Sequence, residues 1–330
     1  MKSKLKSPIK KLKWGVAGCG HFAENSFLPA VQLSRRGRVR SLYSNNQQRA
    51  EQLANKFSIT NYFSNYDQFL SSDIDAVYIS SANINHYEQT LKAANAGKHI
   101  LCEKPMSITS EQAKEMIDVC KKNNVLLSIN FVMRYHPVIL KAKDIIDSRM
   151  LGKITSINMN FNINLTPSGN FRYDKKLSGG GALRDLGSHL IDLLLYFGGD
   201  IESINGVMDN LIYKESVEDF AYGIVKFKES GYGYFNVSYC NKRAMNRIEI
   251  IGNNGAIAID NFIGVRNESS KISILLKDEA KKMFRKRGNK IIFMLRSVQK
   301  AFLKNTQPFV TGHDGYSNLK LIEELENKCS

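Results

Sequence analysis

No apolar run in this 330-residue chain approaches the ~20 residues that cross a bilayer, and the opening MKSKLKSPIKKLK is basic without the apolar centre of a secretory leader. Both absences lead us to expect a cytoplasmic protein. Cysteine is scarce: Cys19, Cys102, Cys120, Cys240 and Cys329 form no C-x-x-C pair and no metal-like spacing. Neither a disulfide framework nor a metal site is expected, and a reducing compartment suits them. There is no internal repeat, no low-complexity linker and no nucleic-acid-binding motif, so two halves with a substantial interface are expected and nucleic acid is not an expected partner.

What is present is ample core material, 43% hydrophobic and 10% aromatic, enough for two domains of ordinary size. The formal charge of +16 is uneven, concentrated in residues 1–13 and 277–290. The second block leads into IIFMLRSVQKAFLK, where Ile291, Met294, Leu295, Val298, Phe302 and Leu303 share a helix face and Arg296, Lys300 and Lys304 lie outside it. Such a helix either packs on its own domain or lies on an anionic membrane. The packing reading is preferred, and the charge is read as favouring solubility, anionic ligands or loose membrane association.

From residue 13 to 130 short apolar runs (14–18, 39–44, 76–81, 99–103, 125–130) alternate with helical stretches (21–35, 46–57, 85–96, 109–122). That grammar predicts an α/β, doubly wound parallel sheet. After Arg134 it changes. A helix over 138–147 and another around 183–197 are followed by strand-like runs at 153–165, 203–212, 218–228, 231–240, 246–251 and 255–260, several joined by tight turns. The second half is therefore expected to be α+β with an open, mostly antiparallel sheet, closed by helices at about 290–304 and 315–327. We place the domains at 1–132, of which 1–12 is a basic extension, and 133–330.

Four segments carry chemistry. The first strand runs into Gly18-Cys19-Gly20-His21-Phe22-Ala23, a G-x-G-x-x-A fingerprint in strand–turn–helix context. Gly18 permits the tight turn, Gly20 lets a pyrophosphate approach the backbone, and the helix start offers a positive dipole end. After the second strand, where NAD-preferring sites usually present a carboxylate, this chain has Ser44-Asn45-Asn46-Gln47-Gln48-Arg49. Nothing there repels a 2′-phosphate, and Ser44, Asn45 and Arg49 can bind one. NADP is the expected cofactor, with NAD the alternative. The strand at 99–103 ends in Glu103-Lys104-Pro105, which puts a lysine in the crevice where ligands of such sheets sit.

The fourth segment is GGGALRDLGSHLID, 179–192. At about 100° per residue, Asp185, His189 and Asp192 fall within roughly 60° of one another on an otherwise apolar helix. Unpartnered ionisable groups are costly to bury, so the stripe faces partners, water or a ligand.

Together these segments, with Asn83 and His86 in SANINHYE, AGKHILCEKP, RYHP at 134–137, FRYD at 171–174, VEDFAYGIVKF and IEIIGNNGAIAID, give a sequence that resembles the glucose–fructose oxidoreductase, inositol dehydrogenase and MocA superfamily over nearly its whole length. The resemblance implies a Rossmann domain followed by a domain with an open sheet, often used for homo-oligomerisation. It implies catalytic roles for Lys104, Asp185 and His189, and cofactor contacts from the glycine turn, Ser44, Asn45, Arg49, Ala82, Asn83, His86, Glu103 and Lys104. Ala82 departs from the proline that relatives commonly carry there. Arg134, Arg172 and Tyr173 are candidate substrate contacts, with Asp185 and His189; Asp192 is read as structural, orienting His189.

The implied reaction is hydride transfer between a nicotinamide and a secondary alcohol or ketone of a sugar, sugar nucleotide or cyclic polyol. In it His189 is the acid/base, Asp185 binds a neighbouring hydroxyl or biases the imidazole, and Lys104 polarises the carbonyl. Two alternatives stay open: redox-neutral cleavage of glycosidic bonds with bound NAD, and a non-catalytic dinucleotide sensor at a membrane surface.

Overall fold

Runs of Val, Ile, Leu and Ala that are apolar on both faces build the first sheet. Its strands are β1 (Leu12–Ala17), β2 (Gly37–Tyr43), β3 (Asn61–Phe63), β4 (Ala76–Ile79), β5 (His99–Cys102) and β6 (Leu127–Ile129), ordered β3-β2-β1-β4-β5-β6 with every pair parallel. Every residue of β4 and β6 is buried, as in a parallel sheet covered by helices on both faces. The strand order reverses between β1 and β4, which opens a crevice beyond their carboxyl ends. The computed structural model describes residues 10–243, 246–263, 269–277 and 280–329. Most of the basic extension read at 1–12 lies outside these residues.

Helix starts follow their caps. Asn46 accepts the Arg49 N–H to begin Gln47–Phe57, and Thr109 with Gln112 forms a reciprocal capping box for Ser110–Lys122. The helix expected at 21–35 is divided: a π turn, Ala23–Phe27, precedes the α-helix Leu28–Gln32.

The second sheet has eight strands rather than the six expected: β7 (Ile154–Asn162), β8 (Ile201–Asp209), β9 (Phe220–Phe227), β10 (Tyr232–Ser238), β11 (Arg247–Gly252), β12 (Gly255–Asp260), β13 (Ser270–Leu276) and β14 (Lys282–Lys286). Their order is β14-β13-β12-β11-β7-β10-β9-β8, antiparallel except where β7 meets β10. Part of the basic block thus forms β14, an exposed edge strand, and charge on an edge discourages pairing with a further chain. One face of this sheet buries Ile157, Met159 and Phe235 in a core shared with Leu190 and Leu194 of the helix Ser188–Gly198. The opposite face leaves Val207, Ile224, Tyr232, Ile251, Leu275 and Met283 exposed.

The helix Lys290–Lys304 returns to the first domain. Its residues Met294, Leu295, Val298 and Phe302 join the core containing Trp14 and Phe27, and the Trp14 and Phe302 rings lie 6.0 Å apart. The apolar face that a membrane reading needs is therefore inside the protein. The helix Gly312–Cys329 follows, giving Leu319 to the first core and Leu321, Ile322 and Leu325 to the second. Among the described residues no helix is long and apolar enough to cross a membrane.

Candidate active site

A cleft of about 660 Å³ runs from the glycine turn, at Gly20, His21 and Phe22, past Ser80, Ser81 and Asn83 to Lys104, Asp185 and His189. The two glycines of the turn differ in use. Gly18 has φ +99°, and a Cβ there would lie 2.5 Å from the Ser81 backbone nitrogen, so the turn is pressed against the end of β4. A Cβ on Gly20 would meet nothing within 4 Å, which leaves the floor of the cleft open to the backbone. This cradle, beside the switch point of a parallel sheet, fits the pyrophosphate of a dinucleotide.

The glycine triplet positions the other wall. A Cβ on Gly181 would sit 2.0 Å from the Glu218 carbonyl oxygen, and the Glu218 carboxylate accepts the Gly181 and Leu183 N–H groups at 3.0 and 2.9 Å. This carboxylate caps a π turn, Leu183–Gly187, that leads into Ser188–Gly198. The wider turn breaks the even 100° spacing assumed from sequence. Asp185 and His189 line the cleft, whereas Asp192 turns away and pairs with Arg134, at 2.9 Å from Nε and 2.6 Å from the guanidinium terminus. Arg134 is further held by Asp314 at 2.8 Å. Arg134 is thus not brought to the cleft, and Asp192 does not orient His189, whose buried Nδ1 has no partner among the described residues.

Asp185 is the hub. Its Oδ1 accepts from Lys104 Nζ at 2.5 Å, and its backbone carbonyl accepts from the same ammonium at 2.8 Å. Its Oδ2 accepts from Arg172 Nε and from the Tyr239 hydroxyl, both at 3.0 Å. Burial pushes the Asp185 carboxyl up, but Lys104 and Arg172 outweigh it and hold the group well below the usual carboxylate range. Asp185 is therefore a fixed anion rather than a proton acceptor. Burial, reinforced by the Lys104 charge, pushes His189 well below its ordinary value, so its ring is neutral. Of the three N–H groups of Lys104, two are spent on Asp185, which leaves one for an oxygen in the cleft.

Glu103 lines the cleft and accepts the Tyr78 hydroxyl and the Asn130 amide, both at 2.5 Å on Oε1; burial raises its pKa over the lowering effect of these bonds. Asn83 also lines it, tied by its amide to the Ser178 carbonyl at 2.9 Å, and Ala82 precedes it in extended backbone. His86 is not in the cleft. It is buried, with ring nitrogens 2.9 Å from the Pro105 carbonyl and 3.1 Å from that of Ser81, so it fastens the loop after β5 to the end of β4. Tyr173 is buried and donates to the Leu165 carbonyl, while Arg172 beside it reaches the cleft.

At the end of β2, Ser44 Oγ accepts the Asn46 N–H at 3.2 Å and Asn45 is exposed. Arg49 lies over the glycine turn, with Nε donating to the Cys19 carbonyl at 3.0 Å and Nη2 to Glu24 at 2.5 Å.

Sequence reading missed Tyr239, Glu218 and Arg184. Arg184 joins the domains, donating to the Ile108 carbonyl at 2.6 Å and to Glu326 at 2.7 and 2.6 Å. Its place within the glycine-rich helix start was the one available signal. Tyr239 and Glu218 sit on or beside strands whose pairing brings them in, and nothing local marks them.

Residues 12–131 match an oxidoreductase family with an NAD-binding Rossmann fold, and residues 139–258 match the GFO/IDH/MocA C-terminal domain. The chain belongs to the GFO/IDH/MocA oxidoreductase family. Oxidoreductase P35 of Formosa agariphila is 30% identical over 201 residues, 59% of this chain and 63% of that relative, a span short of two thirds of its length. The 1,5-anhydro-D-fructose reductase of Ensifer adhaerens is 27% identical over 311 residues, 93% of each chain. The crystal structure of an aldose-aldose oxidoreductase from Caulobacter crescentus, 23% identical, superposes with a TM-score of 0.89 over 97% of both chains and shares the fold.

Proposed function

We propose that this protein is an NADP-dependent oxidoreductase that interconverts a secondary alcohol and a ketone on a sugar, sugar nucleotide or cyclic polyol. The observation that carries this reading is the convergence of Lys104, Asp185 and His189 at one end of a cleft whose other end is the glycine turn. Gly18, Gly20 and Asn83 would hold the dinucleotide, with Ser44 and Arg49 toward its 2′-phosphate. Bound there, the nicotinamide supplies or accepts the hydride.

The chain's own residues do the rest. The remaining N–H of Lys104 meets the substrate oxygen, polarises a carbonyl and stabilises a developing alkoxide. His189, neutral, takes the hydroxyl proton in oxidation and returns it in reduction. Asp185 exchanges no proton; it holds and aims the Lys104 ammonium. The cofactor preference is supported by the absence of a carboxylate after β2. A homo-oligomer built on the exposed apolar face of the second sheet is supported by the residues left uncovered there.

The test is a screen of sugars and sugar nucleotides with NADP and NADPH, followed by nicotinamide absorbance, on the wild-type chain and on Lys104→Ala. Turnover with at least one such substrate, lost about a hundredfold in the variant with folding intact, supports the reading. Equal rates overturn it, and glycan cleavage without net absorbance change assigns the redox-neutral chemistry instead.

A further inference from the structure

Arg49 is paired with an acid that lies on the first helical turn after the glycines. Glu24 Oε2 accepts from Arg49 Nη2 at 2.5 Å, and Oε1 accepts from Lys56 Nζ at 2.6 Å. Its carboxylate is thus shared between two cations of the helix Gln47–Phe57, and with a side chain 17% exposed it is screened less than either of them. The bonds from Lys56 and then Arg49 hold the Glu24 pKa at about 2, so it is an anion at any working pH. Arg49 Nη1 has no acceptor among the described residues, and this edge of the guanidinium remains for a ligand.

We infer that Glu24 sets how strongly this chain discriminates a 2′-phosphorylated dinucleotide from its unphosphorylated counterpart, by cancelling one of the two positive charges, Arg49 and Lys56, that it pairs with. This rests on the NADP reading above. Glu24 makes two separable contributions, orientation and charge. Orientation does not depend on it alone, because Arg49 Nε is independently anchored to the Cys19 carbonyl at 3.0 Å. Charge does: with Glu24 ionised, Arg49, Lys56 and Glu24 sum to one positive charge, against two without it. A phosphate carrying about −1.5 to −2 then meets an anion close to the cation that binds it, and the Coulomb cost is felt by the phosphorylated cofactor only.

The neutral isostere Glu24→Gln separates the two, since its amide oxygen still accepts from Nη2. Equilibrium binding of NADPH and NADH, and of 2′,5′-ADP against 5′-AMP, is measured by calorimetry on the full-length wild type, E24Q, K56Q and R49A. E24Q is expected to bind NADPH and 2′,5′-ADP about fivefold more tightly and NADH and 5′-AMP unchanged, the gain shrinking as salt is raised. K56Q, which leaves Glu24 less compensated, is expected to shift the phosphorylated pair the other way. Unchanged or weaker NADPH binding in E24Q overturns the inference. Loss of NADPH affinity in R49A together with a flat E24Q locates the failure at Glu24. An R49A that leaves the NADPH to NADH ratio untouched locates it in the NADP reading itself.

Discussion

Tyr239 donates its hydroxyl to Asp185 Oδ2 at 3.0 Å, from the end of β10 to the π turn that leads into the helix Ser188–Gly198. The same hydroxyl is 3.3 Å from the Gly181 carbonyl, and the side chain is fully buried. Burial, and then the Asp185 charge, push the phenol well above its ordinary pKa, so the proton stays on Tyr239. The chain thereby steadies the anion that steadies Lys104.

Removing that hydroxyl alone should leave the fold and impair the chemistry. Tyr239→Phe is expected to lower kcat about tenfold, the scale of one hydrogen bond to a charged group, with KM for the nicotinamide cofactor unchanged and Tm lowered by only a few degrees. Steady-state kinetics with a thermal melt checks this; a wild-type kcat would show that Asp185 needs no such support.

In the proposed reaction, the neutral state of His189 sets the pH profile. Because its pKa lies well below 6.5, the proton-accepting form persists through neutrality. The kcat/KM for alcohol oxidation should be level from about pH 6.5 upward on account of this group and fall only in more acidic solution. His189→Ala should lose about a hundredfold and with it the acidic limb. A limb at or above 6.5 would assign the titration elsewhere.

Space at the helix start makes a stability prediction. A methyl group on Gly181 collides with the Glu218 carbonyl, and the carboxylate cap of the same residue shifts with it. Gly181→Ala should destabilise by about 2 kcal/mol or more, read as a lower denaturation midpoint.

His136 links acid to unfolding. Its Nδ1 accepts the Val138 N–H at 3.3 Å, and Nε2 donates to Ser270 Oγ at 3.1 Å, while Ser270 donates to the Asn261 carbonyl at 2.8 Å. Only the neutral ring satisfies this chain, and burial, with the Lys290 charge, pushes His136 down to about 4. A depressed pKa stabilises above the unfolded value near 6.5 and is lost as pH falls toward 4. Thermal melts between pH 7 and 4 should therefore decline less steeply for His136→Asn, whose side chain can still cap the helix Pro137–Asp147.

Much of this molecule was legible before its coordinates. The parallel strands announce themselves as apolar runs between helical stretches, but β3 is three half-buried residues, Asn61–Phe63, with neither alternation nor a run to see. β14 lies inside the block read only for its charge, because a fully exposed edge strand need not show a buried apolar face. The parallel meeting of β7 and β10 depends on a crossover through the helix Ser188–Gly198, and no local pattern encodes it. In the site, Lys104, Asp185 and His189 stand in recognisable motifs. The even helical wheel that grouped Asp192 with them fails because a π turn intervenes, and Arg134 and His86 carry suitable chemistry but spend it on buried neighbours.

The return of Lys290–Lys304 to the side of Trp14 has a bearing on how the chain comes to be folded. A segment late in the sequence supplies a wall for one nearly three hundred residues before it. A nucleotide-binding half without the helix that carries Phe302 lacks that wall and has an apolar flank uncovered. Excised at the sequence boundary, it should be a poor candidate for an independent, soluble fragment.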